Sequence, residues 1–197
     1  MKKLRGIVFS LIPLLFLVGC ESIEKNETKL VYEKLSQKEE YLLNLTDNKI
    51  LTYKIENIPK DKSYEINLIY EVYREGKKIK EEIIMGSISE EGHEESKEKT
   101  LGINFKDGNK IRCVLGDEGT YSTASHDIEE NLWEYVQAYF TNDITLEEGK
   151  SVYIYHANSG EYIQNSVLGM NTDSNILNEI LKNNEVNIFL KLSLKEF

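Results

Sequence analysis

The chain of 197 residues is predicted to fold mainly as β, as an antiparallel β-sandwich with one short helix near 174–183. Three features carry that expectation. Apolar residues recur at every second position in several short segments, the spacing of a strand with one buried face. Polar turns containing glycine separate those segments. Helical stripes are few, and proline occurs only at Pro13 and Pro59.

Leu51, Tyr53 and Ile55 mark an early strand. Tyr64, Ile66, Leu68, Tyr70 and Val72 form the clearest stripe. It runs into Arg74-Glu75-Gly76-Lys77-Lys78, where glycine allows a left-handed backbone, and Ile79–Met85 is the return strand. Leu101, Ile103 and Phe105 lead to the Asp107-Gly108-Asn109 turn, then Ile111, Cys113 and Leu115. Val152 and Ile154 mark a later strand, and Tyr162–Leu168 is expected to follow as another. Val186, Ile188, Leu190, Leu192 and Leu194 share one face of the last strand, with Asn187, Lys191 and Ser193 opposite. Asn175–Asn183 carries Ile176, Leu177, Ile180 and Leu181 at helical spacing, with Asp173 or Ser174 as N-cap. Leu132–Phe140 fits one helical face, but Trp133, Tyr135 and Tyr139 favour strands, and a strand is expected there.

No linker or internal repeat divides residues 29–197, which read as a single domain. Many short strands with glycine turns suit a sandwich. The pattern resembles the immunoglobulin-like sandwiches common on cell surfaces. This is a likeness of architecture, which implies no activity. The Cys…Trp…Cys pattern of true immunoglobulin domains is missing.

The N-terminus reads as an address. Lys2, Lys3 and Arg5 precede an apolar run, Gly6–Val18, that is shorter than the roughly 20 residues of a membrane span. The run ends Leu17-Val18-Gly19-Cys20, followed by Glu21-Ser22. These residues resemble the lipobox of bacterial lipoproteins. The resemblance implies a signal peptide over 1–19, cleavage before Cys20 and diacylglyceryl transfer to its thiol. Two acyl chains hold a protein to a bilayer stably, since each buried methylene contributes about 0.8 kcal/mol. Residues 20–28 then form a polar, lipidated tether, and the domain is expected at the extracytoplasmic face of the cell membrane.

Residues 1–19 carry three basic residues and no acidic one, so their removal takes the formal charge from −10 to −13. Such a body is repelled by nucleic acid. Cys113 alternates with Ile111 and Leu115 and reads as a buried thiol, not a nucleophile.

No catalytic constellation is evident. Histidine is limited to His93, His126 and His156. His93, among Glu90, Glu91, Glu94 and Glu95, reads as a solvated loop and not a metal site. Ser125-His126-Asp127 holds the residue types of a hydrolase triad, but triads are assembled from separated segments, and these three read as a polar loop or as the start of a helix or strand. Phosphate-binding glycine loops and zinc motifs are absent, and no cofactor is called for.

The expectation is therefore a non-enzymatic binding or structural module of the cell envelope, its partner an envelope protein or a polysaccharide. One alternative is a wall-carbohydrate module. Its platform would be Trp133, the single tryptophan, with Tyr153 and Tyr155 from the 12 tyrosines. Against this stands the ordinary role of tyrosine on half-buried strands. A second alternative is a hydrolase using His126 or His156 with a distant acid.

Overall fold

The computed structural model describes residues 27–46, 48–59, 62–90, 98–117, 119–162, 167–170 and 175–197. Among these, the strands form two antiparallel sheets in an open, sandwich-like arrangement with two short helices. The six-stranded sheet runs, edge to edge, β7 (Thr120–Asp127), β6 (Lys110–Asp117), β5 (Lys99–Lys106), β2 (Lys49–Glu56), β1 (Lys29–Tyr32) and β9 (Ile144–Thr145). The five-stranded sheet runs β4 (Lys77–Ser89), β3 (Tyr64–Arg74), β11 (Val186–Glu196), β10 (Ser151–Asn158) and β8 (Val136–Tyr139). The helices are α1 (Gln37–Asn44) and α2 (Asn175–Asn183).

The alternating stripes meet between the sheets. Leu51, Tyr53, Ile55, Leu101, Ile103, Phe105, Ile111, Cys113 and Leu115 face Ile66, Leu68, Tyr70, Val72, Ile188, Leu190 and Leu192 in one buried cluster. Phe105 and Tyr155 stack across the interface, with ring centroids 4.6 Å apart. Both expected hairpins form, with Lys106 opposite Lys110 and Arg74 opposite Lys77.

A second cluster lies on the outer face of the five-stranded sheet. The stripe of α2, Leu177, Ile180 and Leu181, covers Tyr73, Tyr153, Phe189 and Val167. The amphipathic helix thus buries its apolar side on the sheet, which makes this region three layers deep.

Several expectations need correction. A second helix, α1, precedes β2; its N-terminus is closed by a capping box. Ser36 Oγ accepts from Glu39 N–H at 3.3 Å, and Glu39 Oε2 accepts from Ser36 N–H at 2.8 Å. Leu132–Phe140 is not one strand. Leu132–Glu134 is a 3-10 turn capped by Asn131, with Leu132 buried in the core, and only Val136–Tyr139 pairs with β10. Ser125-His126-Asp127 is neither a loop nor the start of an element: it ends β7, a polar edge strand whose register is set by backbone pairing with β6. Tyr162–Leu168 forms no strand at its described residues. The Asn158 side chain accepts from Gly160 N–H at 2.9 Å, bending the chain out of β10, and Val167–Gly169 is a turn.

The sandwich has two distinct ends. At one, Lys29 opposes both Glu56 and Thr145, and Thr28 Oγ1 donates to the Asn57 carbonyl at 3.1 Å. This is where the chain enters from its N-terminal side. At the other, Lys49 opposes Phe105, next to the Asp107–Asn109 turn and to α1. The length of β2 separates them, about 25 Å at the usual strand rise. No helix among the described residues is long and apolar enough to cross a membrane.

Candidate binding site

A concavity among the described residues lies at the end far from residue 27. It is an open cleft of about 560 Å³ lined by Asn44, Asn48, Lys49, Asp107 and Trp133. Four segments meet there: the end of α1, the start of β2, the β5–β6 turn and the 3-10 turn before β8.

Each wall is held by identifiable bonds. Leu132 sinks into the core, so its neighbour Trp133 stands out, 43% exposed. Leu132 N–H donates to the Gly108 carbonyl at 2.6 Å, and Trp133 N–H donates to Asn131 Oδ1 at 3.2 Å. Asp107 and Gly108 both have positive φ, 54° and 74° respectively, so the turn presents its glycine flank to the indole. Only glycine leaves room there: a Cβ on Gly108 would lie 2.5 Å from Trp133 Cδ1. Lys49 donates to Gln137 Oε1 at 3.2 Å and lies 4.8 Å from the centre of the Tyr139 ring, while Gln137 Nε2 donates to the Leu132 carbonyl at 2.6 Å. Burial lowers the Lys49 pKa from its ordinary value. Asn48 is fixed by donation to the Thr46 carbonyl at 3.0 Å. The cleft therefore offers a flat indole face, two amides, an ammonium and a carboxylate on a braced frame. Such a set suits a polar ligand with an apolar ring face.

Tyr153 and Tyr155 do not join Trp133. Both are buried, and on opposite faces of β10. A bulge between them places Ile154 and Tyr155 together on the inner side. Tyr153 instead turns outward beneath α2. Cys20 lies outside the described residues, as does His93. Cys113 is buried as expected, and burial pushes its thiol up to about 12.

Beneath the outer cluster, Glu71 is fully buried in a network of its own. Its Oε1 accepts from Lys191 at 2.6 Å and Lys78 at 2.7 Å; its Oε2 accepts from Tyr73 and Tyr153, each at 3.3 Å. Lys78 also pairs with Glu81. A carboxylate that already accepts four bonds has little left for a substrate, so this network is structural.

The histidines are separated. His126 Nε2 is 2.6 Å from Glu82 Oε2, off the angle of a good hydrogen bond, and bridges β7 to β4. Asp127 pairs with Lys110 at 3.2 Å instead. His156 is buried, 3.0 Å from Asn187 Oδ1 and stacked on Phe189 at 4.4 Å. Among the described residues no group of three or more His, Cys, Asp or Glu side chains is placed to hold a metal ion.

No family model matches this chain, and no curated protein or solved structure is significantly similar to it.

Proposed function

We propose that this protein is a non-enzymatic binding module of the cell envelope, tethered outside the cytoplasm by lipid on Cys20, that takes a carbohydrate in the Trp133 cleft. One observation carries the ligand: an exposed indole, braced against Gly108, stands beside the Asn44 and Asn48 amides, Lys49 and Asp107. Sugars present apolar C–H faces and hydroxyl edges, which call for an aromatic platform and orienting hydrogen-bonding groups. The lipobox Leu17-Val18-Gly19-Cys20 supports the anchor. The likeness to immunoglobulin-like surface domains is proposed as one of layer architecture and supplies no ligand.

The cleft lies at the end of the sandwich opposite residue 27. A chain anchored upstream would present it away from the bilayer.

The test uses the protein extracted from membranes in detergent and mixed with insoluble cell-wall glycan. The natural protein should sediment with the glycan. Trp133→Ala, with an unchanged circular dichroism spectrum, should stay in solution. Equal sedimentation of a folded Trp133→Ala protein would overturn the ligand. Retention of a Cys20→Ser protein in the membrane fraction would overturn the anchor.

A further inference from the structure

We infer that the binding site continues past the cleft onto α1, where Tyr41 forms a second platform, so that the ligand is an extended glycan chain and not a single sugar. The inference rests on the carbohydrate reading of the Trp133 cleft.

Helix α1 is unusual for a short surface helix. It buries no residue, yet it exposes Tyr41 at 64% and Leu42 at 51%, and Leu45 just beyond it at 64%. A helix of eight residues has little intrinsic stability in water, so its cap and its seat matter. The Ser36–Glu39 box fixes its start. At its far end, Thr46 and Asn48 N–H groups both donate to the Leu43 carbonyl, at 3.0 and 3.3 Å, setting the turn into β2.

Helical geometry then decides which residues border the cleft. Asn44 lines it. Tyr41 precedes Asn44 by three positions and Leu45 by four, the spacing that places side chains on one flank. The flank with Asn44 at the cleft therefore continues into Tyr41 and Leu45. Asn44, Asn48 and Trp133 line the cleft, and Tyr41 stands on α1 one helical turn before Asn44, so that its ring extends the row of amides and indole. A protein partner would favour a larger continuous apolar surface with few polar groups at its centre. Here polar groups separate the two rings. That alternation matches a chain of linked sugars, whose apolar faces recur with hydroxyl edges between them.

Trp133 is the sole tryptophan, so its emission reports cleft occupancy directly. Wall-glycan fragments of graded length, from the single sugar to a long oligomer, are titrated into the natural protein and into Tyr41→Ala, Tyr41→Phe and Trp133→Phe forms, the last read by calorimetry. Affinity of the natural protein should rise about tenfold from the shortest binding fragment to the long oligomer, the scale of one good aromatic contact. Tyr41→Ala should lose that gain while binding the short fragment unchanged, and Tyr41→Phe should keep it. A length-dependent gain that survives Tyr41→Ala would overturn the second platform. So would short-fragment binding with no gain on lengthening. Failure of every fragment to bind would instead overturn the carbohydrate reading itself, and the extension with it.

Discussion

The Trp133 indole is seated on Gly108: a Cβ added at that glycine would stand 2.5 Å from Trp133 Cδ1 and 2.1 Å from Asn131 Oδ1. The hairpin turn and the exposed ring thus form one unit. Gly108→Ala forces the indole and its Asn131 cap to move, and it also strains a backbone at φ 74°. The strain alone should cost about 1 kcal/mol, with the clash adding to it. A changed Trp133 emission maximum in a folded Gly108→Ala protein is the expected outcome. An unaltered spectrum would show that the ring is not held by the turn.

Tyr153 and Tyr155, two positions apart, should respond in opposite directions to loss of their hydroxyls. Tyr155 Oη is buried with no hydrogen-bond partner among the described residues, whereas Tyr153 donates to Glu71. An unmet buried hydroxyl costs about 1–3 kcal/mol. Tyr155→Phe should therefore raise stability by about 1 kcal/mol in urea unfolding, and Tyr153→Phe should lower it by a similar amount. A loss from Tyr155→Phe would mean that its hydroxyl is satisfied.

Glu71 and Lys191 should show strong coupling. Glu71→Leu leaves a Lys191 ammonium in a buried site, with only Glu81 at 3.6 Å to offset it. Breaking such a pair costs about 3–5 kcal/mol, while replacing both members with apolar residues is often neutral. The double form Glu71→Leu, Lys191→Met should recover most of the loss. Additive losses would contradict the coupling.

Stability should fall as pH drops from about 6.5, the ordinary histidine value, to about 4. Burial holds His156 down at about 4, partly offset by its hydrogen bond with Asn187. Above the unfolded value both states are neutral and contribute no slope. Between the two values the unfolded chain binds a proton that the folded chain refuses. The loss reaches roughly 3 kcal/mol at the lower end. His156→Gln should remove that part of the slope, measured as unfolding midpoints across pH. An equal slope in the variant would assign the dependence to other groups.

The hairpins, β11 and α2 were legible because each carries its own periodicity. β7 was not, since an edge strand pairs through its backbone and needs no apolar stripe: Tyr121, Ser122 and Thr123 are all exposed. α1 did carry its start in the sequence, as Ser36-Gln37-Lys38-Glu39, but no buried stripe follows it. The phase change at Ile154 is a register effect with β11, invisible within β10 itself. Of the cleft, Trp133 stood out by its rarity. Asn44, Asn48, Lys49 and Asp107 are ordinary polar types on separate segments, and only the fold brings them to it. The outer cluster was half legible. Asn187 and Lys191 lie opposite the apolar face of β11, but the Glu71 network beneath α2 depends on four strands at once, β3, β4, β10 and β11.

The most direct test of the binding site is a nuclear magnetic resonance titration of isotope-labelled protein with soluble wall-glycan oligomers. Amide shifts confined to residues 41–49, 107–109 and 131–135 are the expected result. Shifts centred elsewhere on the sandwich, or none at saturating oligomer, would contradict it.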